Sequence, residues 1–260
     1  MAATSQRPRP AKRAKNLLTA VADPDNLRLA VWRAAKGKRH SRAVLGYAEN
    51  LDRNLLQLRE QILDGAVSVG QYQCFKVYEP KERNICAPAF AEQALHHALM
   101  NVCHPFFEQK QIFDSYASRK GKGTYAAIGR ARIFSRSDGW FMKLDLQKFF
   151  DSIHHDVLNA QLATLFKDEQ LLHIFAQIIA AYHTSPQRGL PIGNLTSQYF
   201  ANHYLTGLDH FIKEKLRIKA YVRYMDDMVL WHRDKGALSL LAFAGHADTE
   251  LLRKNLLLRL

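Results

Sequence analysis

The chain has 260 residues, 47% hydrophobic and 23% charged, ample for one large core or two small ones. A formal net charge of +13 points to a polyanionic partner. No apolar run approaches the roughly 18–20 residues of a membrane span, no signal-peptide core follows the start and no solenoid-length repeat occurs, so the chain is expected to be soluble and intracellular.

In chain order, residues 1–15 are rich in Arg, Lys and Pro and are expected to form a flexible basic tail. Residues 1–48 hold eleven Lys and Arg against Asp23 and Asp25, which is +9 of the +13. The cluster Arg7 to Lys15 reads equally as solvated tail or as part of a polyanion-binding surface. The cluster Arg33 to Arg42 abuts a helical pattern and so presents its charge from a folded surface. Leu27, Leu29, Val31 and Trp32 give helical spacing within Leu17 to Ala35, interrupted by the helix-start signal Asp23-Pro24-Asp25. Leu51, Leu55, Leu58 and Ile62 share one face of a helix from Tyr47 to Leu63, closed by Asp64-Gly65. Residues 16–70 are therefore expected to be an N-terminal helical region.

Strands are expected at Tyr72 to Tyr78 and Arg83 to Cys86, joined by a turn at Glu79-Pro80-Lys81-Glu82, followed by a helix from Pro88 to Val102. Ser115 to Thr124 is a basic, glycine-bearing loop. Trp140 to Leu146 reads as a strand, and helices follow at Asp156 to Phe166 and Gln170 to Tyr182. A loop from Thr184 to Pro191 leads into a helix at Thr196 to Ile212 and then a hairpin over 221–231. Helices with a few strands, not alternating, make the expected class α+β. Cys74, Cys86 and Cys103 are odd in number and lack Cys-x-x-Cys spacing, which argues for a reducing compartment and against a disulfide framework.

Tyr224-Met225-Asp226-Asp227 places adjacent carboxylates at a hairpin tip between apolar runs. Ionised neighbours repel and lose hydration on partial burial, a cost that a divalent cation offsets. A solvated Asp-Asp turn is the plain alternative. Asp145, at the end of a strand in Lys143-Leu144-Asp145-Leu146-Gln147-Lys148-Phe149-Phe150, could cap a turn. Together with Asp226 and Asp227 it could instead complete the acid set that two-metal nucleotidyl transfer draws from separate strands.

In this order, a basic region, Asp145-x-x-x-Phe149-Phe150, Gly189-Leu190-Pro191-x-Gly193 and Tyr224-Met225-Asp226-Asp227, the chain resembles a reverse transcriptase over about Tyr72 to Trp231. The likeness is to the bacterial group-II-intron-like branch. Within it, Ile192-Gly193-Asn194-Leu195-Thr196-Ser197-Gln198 is similar to diversity-generating retroelement enzymes. The resemblance implies a right-hand polymerase fold with fingers at 71–139 and an antiparallel palm sheet with packed helices at 140–260, interrupted by a fingers insertion near 167–190.

It also implies roles. Asp145, Asp226 and Asp227, with the Leu146 carbonyl, would hold two Mg²⁺ ions, Mn²⁺ being a possible substitute. Phe150, five residues after Asp145, would exclude a ribose 2′-hydroxyl and so select dNTPs; Phe149 reads as core. Arg83 would contact the incoming triphosphate, a surface strand Arg being the alternative. Gly193 would let backbone approach the nucleotide. Ile192, where many relatives carry Gln, and Gln198 would line the dNTP site, and the loss of a polar contact there would accompany errors opposite template adenines. Arg119, Lys120 and Lys122 would follow a template backbone, because their loop lacks P-loop spacing. Lys143 and Arg223 could simply balance carboxylate charge. His96, His97, Cys103 and His104 lack zinc-ligand spacing, and His154 and His155 read as neighbours of a helix cap.

The implied partners are an RNA template, a DNA or RNA primer, dNTPs and a small basic helical accessory protein, with no membrane, in the cytoplasm of a bacterium or encoded by a phage. After Trp231 only a Leu-rich strand at Leu251 to Leu260 is expected, with thumb and primer grip absent and processivity weak. Defence, retron or group II intron biology are alternatives, as is an inactive RNA-binding remnant.

Overall fold

The computed structural model describes residues 14–78, 82–137, 139–236 and 238. Nearly all of the expected basic tail, most of the turn at 79–82 and the Leu-rich end at 251–260 lie outside the described residues.

Local chemistry sets the N-terminal helices. Helix α1 (Leu18–Val21) stops before Asp23, whose side chain accepts the N–H groups of Asp25 and Asn26 and starts α2 (Pro24–Ala34) with proline in its first turn. The single helix expected at Tyr47 to Leu63 is instead two, α3 (Arg42–Glu49) and α4 (Leu51–Asp64), because Asn50 leaves helical geometry between them. Helix α4 buries Leu55, Leu58 and Ile62 and ends at Gly65, which adopts φ +68°.

Strands β1 (Tyr72–Val77) and β2 (Arg83–Pro88) form an antiparallel hairpin in which Cys74 faces Cys86. The two are joined as a disulfide, which corrects the expectation drawn from the odd cysteine count. The third, Cys103, is free and buried, so an odd total conceals one pair. Helix α5 (Phe90–Lys110) runs well beyond Val102 and through Pro105. Proline removes one helical hydrogen bond, but Cys103 and Phe107 on either side are locked into the core and carry the helix across it. Helix α6 (Thr124–Ser137) has no counterpart in the sequence reading: it buries only Ala127 and leaves Tyr125, Ile128 and Ile133 exposed, so its apolar period is faint.

Strand β3 (Trp140–Leu144), α7 (Phe149–Ser152), α8 (His155–Leu165) and α9 (Glu169–Ala180) follow. The helix expected to Ile212 is broken into α10 (Leu195–Tyr204), α11 (Thr206–His210) and a π-helical turn at Phe211–Lys215. The expected hairpin forms from β4 (Tyr221–Tyr224) and β5 (Asp227–His232). Strand β5 is central in a three-stranded antiparallel sheet of order β3-β5-β4. The outer edge of β4 is covered by 114–116, where Arg223 N–H donates to the Asp114 carbonyl and Tyr116 N–H to the Arg223 carbonyl.

Helix α5 is the axis of the main core, with Ala94, Leu95, Ala98, Leu99 and Cys103 essentially inaccessible. Near its end Phe107 meets Phe166, Tyr199 and Phe200 at ring separations of 5.5–6.2 Å, which welds α5 to α8, α9 and α10. The molecule is α+β, as expected. Among the described residues no helix is long and apolar enough to cross a membrane.

Candidate active site

Sheet register brings the acidic residues together. Leu144 pairs with Met228, and Tyr224 pairs with Asp227 across the hairpin. Asp145 therefore leaves β3 beside the strand end that carries Asp227, with Asp226 in the intervening turn. The electrostatics report the same juxtaposition. Partial burial raises the Asp226 carboxyl above its ordinary range, its own backbone N–H opposes the rise, and the charges of Asp145 and Asp227 add to it. Lys143 Nζ lies 3.2 Å from Asp227 Oδ1, so the expected local charge balance holds for this lysine.

For Arg223 the charge balance includes Asp226 but falls mainly on a carboxylate outside the hairpin. The side chain is fully buried and forks onto Asp209, also fully buried, at 2.7–3.0 Å. It also donates to Asn202 Oδ1 and to the Met225 carbonyl, both at 3.0 Å. Burial works against the guanidinium charge, but the Asp209 carboxylate outweighs it and leaves the pKa of Arg223 raised. Tyr221 O–H donates to the same carboxylate at 2.8 Å. Met225 has φ +55°, a left-handed turn unfavourable to a long side chain. The bond to its carbonyl ties that turn to the buried Arg223–Asp209 pair. Sequence reasoning named Arg223 but missed its partner Asp209 and its bond to the turn. The signal available was an Arg at an inward strand position, Tyr221-Val222-Arg223, which demands a buried anion.

The segment 184–198 is pinned to the region after Asp145. Leu190 N–H donates to the Phe150 carbonyl and Gly189 N–H to the Ile153 carbonyl, each at 2.9 Å. His155, taken from sequence as a cap neighbour, is buried, and its Nε2 is 2.8 Å from the Gly189 carbonyl. Gly189 adopts φ +109°, where an added Cβ would meet Thr184 Oγ1 at 2.8 Å, so only glycine fits. Phe149 is core, as expected, while Phe150 is half-buried and packs on the core edge with its ring edge-to-face to Phe149.

Segment 190–194 also reaches β2. Cys86 N–H donates to the Ile192 carbonyl at 2.8 Å, and Gly193, at φ +122°, would bring a Cβ within 3.0 Å of Ile85 and 3.1 Å of the Cys86 carbonyl. The glycine is required by this packing, a nearer reason than approach to a nucleotide. Arg83, at the start of β2, is exposed, and its charge favours the ionised form of Asp226. Asp145 after β3, Asp226 and Asp227 at the β4–β5 turn, Arg83 on β2, Phe150 in α7 and Ile192 in the loop before α10 are thus linked. Gln198 Oε1 accepts from Ser118 Oγ at 3.1 Å.

The basic loop differs from expectation in one member. Arg119 is buried against Glu108, with contacts of 2.6–3.1 Å, and donates to the Ile112 and Ser115 carbonyls. Its guanidinium builds the loop and is not offered to a phosphate. Lys122 donates to the Phe113 carbonyl and lies 3.6 Å from that ring's centroid, while Lys120 is exposed.

Hard oxygen donors at one strand end suit Mg²⁺, which takes one or two carboxylates and fills its remaining positions with water and phosphate. Among the described residues no three His, Cys, Asp or Glu groups close around an ion by themselves. The acid set therefore fits such an ion only with phosphate, water or carbonyl oxygens completing the shell.

Residues 78–249, more than half of the chain, match the profile of the family described as reverse transcriptase (RNA-dependent DNA polymerase). The putative COX1/OXI3 intron 1 protein of Saccharomyces cerevisiae is 25% identical over 220 residues, covering 78% of this chain and 26% of that protein. Protein YkfC of Escherichia coli is 24% identical over 226 residues, covering 79% of this chain and 59% of its own length. The chain thus spans less than two thirds of either relative. Among solved structures, a partial Cas6-RT-Cas1–Cas2 complex superposes with TM-score 0.51 at 18% identity, over 88% of this chain and 40% of that one. Telomerase from Candida albicans, in complex with the TWJ fragment of telomeric RNA, gives 0.52 at 12% identity, over 71% and 41%. At these identities the likeness is one of fold.

Proposed function

The chain belongs to the reverse transcriptase (RNA-dependent DNA polymerase) family, and from that premise we propose that it copies an RNA template into cDNA by nucleotidyl transfer at Asp145, Asp226 and Asp227. The observation that carries this reading is the convergence of three carboxylates from β3 and the β4–β5 turn, with the charge of two of them felt at the third. Two Mg²⁺ ions held by these carboxylates and the Leu146 carbonyl would, when bound, activate the primer 3′-hydroxyl and neutralise the departing pyrophosphate.

The chain's own residues supply the rest. Arg83 meets the triphosphate with a guanidinium suited to two phosphate oxygens. Phe150, held on the core edge by Phe149 and the Leu190 tie, closes the space a 2′-hydroxyl would need. Ile192 presents no hydrogen bond toward the paired base, and with Ser197-Gln198 it supports the error-prone, diversity-generating retroelement type. Lys120 and Lys122 follow the template backbone. Fingers at 71–139 and palm at 140–260 are the corresponding division.

Single-nucleotide incorporation opposite an RNA template tests this, with dNTP beside rNTP and wild type beside Phe150→Val. Wild type is expected to incorporate dNTP and reject rNTP, and the variant to accept both. On templates containing adenine, misincorporation is expected to concentrate opposite that base. Equal use of rNTP by wild type would overturn the gate, and accurate copying of adenine the retroelement subtype.

A further inference from the structure

A cavity of about 240 Å³ lies apart from the carboxylates, at the foot of the β1–β2 hairpin between α4 and the start of α5. Apart from Glu92, its polar wall is made of uncharged groups: Asn54, Gln57 and Gln61 from α4, and Ser68 and Gln71 from the segment leading into β1, with Tyr47 of α3 beside them. Carboxamides turn to present either donor or acceptor, so such a wall matches the mixed edge of a planar, uncharged ring. Tyr47 is fixed in place. Phe90 meets its ring edge-on at 5.1 Å, and Asn54 Nδ2 donates to its carbonyl at 2.8 Å.

The one carboxyl in the wall does not make this a cation site. Glu92 accepts the Gly70 N–H at 2.9 Å through one oxygen. Its other oxygen is sealed from solvent, 3.5 Å from His96 Nε2. The surroundings are positive instead. Lys38 bonds to the Gln93 side chain and stands 5.7 Å from the Phe90 ring centroid, and beyond it run Arg39 and Arg42. A hydrogen-bonding hole with a lysine beside the Phe90 ring that meets Tyr47 suits a group that is planar and neutral but strung on a polyanion.

We propose that this cavity takes one unstacked base of a single RNA strand, stacked on Tyr47 and hydrogen-bonded by the side-chain amides of Gln57, Gln61 and Gln71. The proposal rests on the polymerase reading only for the presence of an RNA strand. The pocket anchors that strand by its base and leaves the phosphates outside the hole, on the side of Lys38.

The test uses the full chain and a short single-stranded RNA carrying one 4-thiouridine. Peptides cross-linked by long-wavelength irradiation are mapped, and affinity is read by fluorescence anisotropy, with primer extension run in parallel. Ala91→Trp fills the cavity from its exposed rim, and Gln57→Ala removes one amide from an exposed position. Cross-links are expected within residues 47–71, lost in Ala91→Trp, with binding weakened about tenfold in that variant and extension at saturating template retained. Gln57→Ala is expected to weaken both cross-linking and binding in the same sense. Unchanged cross-links and affinity in both variants would overturn the proposal, as would cross-links confined elsewhere in a chain that extends primers. Displacement of the strand from this site by excess free uridine monophosphate would assign the cavity to a free nucleotide and also overturn it. Cross-links in the pocket of a chain that does not extend primers would keep the proposal and remove the polymerase reading.

Discussion

The Arg223–Asp209 pair is the residue on which the acidic turn depends, although neither side chain is among the three carboxylates. A guanidinium with no exposure is tolerated because its charge and donors are matched by Asp209, Asn202 and the Met225 carbonyl. Removing one partner strands the other. Asp209→Asn or Arg223→Met is expected to cost about 3–5 kcal/mol in urea unfolding. Arg223→Lys keeps the charge but not the fork, so it is expected to retain most of the fold while lowering the turnover number more than it changes the dNTP KM. A Lys variant with wild-type turnover would show that the tie to Met225 does not position the turn. In the sequence, Asp226 and Asp227 were legible because adjacent acids at a strand tip are conspicuous. Asp209 was missed because it lies fourteen residues from Arg223, on a helix the apolar pattern ran together with its neighbours.

At the scale of elements, the β1–β2 hairpin couples two regions that the sequence presents separately. It carries Arg83 at one end, ties the Ile192 carbonyl through Cys86, and is cross-linked between facing residues 74 and 86. Closing a loop with a sequence separation of 12 restricts the unfolded chain, so Cys74→Ser is expected to lower stability by about 3 kcal/mol. Alkylation followed by mass spectrometry, with and without reductant, checks the bond itself; two blocked thiols are expected before reduction and none after. Which strands and helices exist was largely readable from period and turn chemistry. Their limits were not, wherever tertiary packing overrode a local signal. Pro105 should have ended α5 but the core holds the helix on both sides of it, and α6 lacks the buried stripe by which a helix announces itself.

For the whole molecule, two buried histidines make stability depend on pH. Burial holds the pKa of His96 down at about 3 and that of His203 at about 4, the latter against a backbone hydrogen bond to Gln161 that favours the charged ring. The unfolded chain takes up protons at these side chains below about pH 6.5 that the folded chain refuses, so folding free energy falls as pH drops. The expected slope is about 1.4 kcal/mol per pH unit for each histidine, continuing to about pH 4 for His203 and lower for His96. Urea denaturation at pH 7.5 and 5.0 measures it, and His203→Gln is expected to flatten the dependence by one histidine's share; an unchanged slope would mean His203 is protonated when folded.

The reading of the whole chain stands on Asp145, Asp226 and Asp227 working as one centre, and RNA-templated primer extension with Mg²⁺ and dNTPs tests it most directly, run on wild type beside Asp226→Asn with RNA affinity measured on both. The account predicts extension by wild type, its loss in Asp226→Asn and equal RNA affinity in the two. Extension that survives Asp226→Asn, or an inactive wild type that still binds RNA, would contradict it.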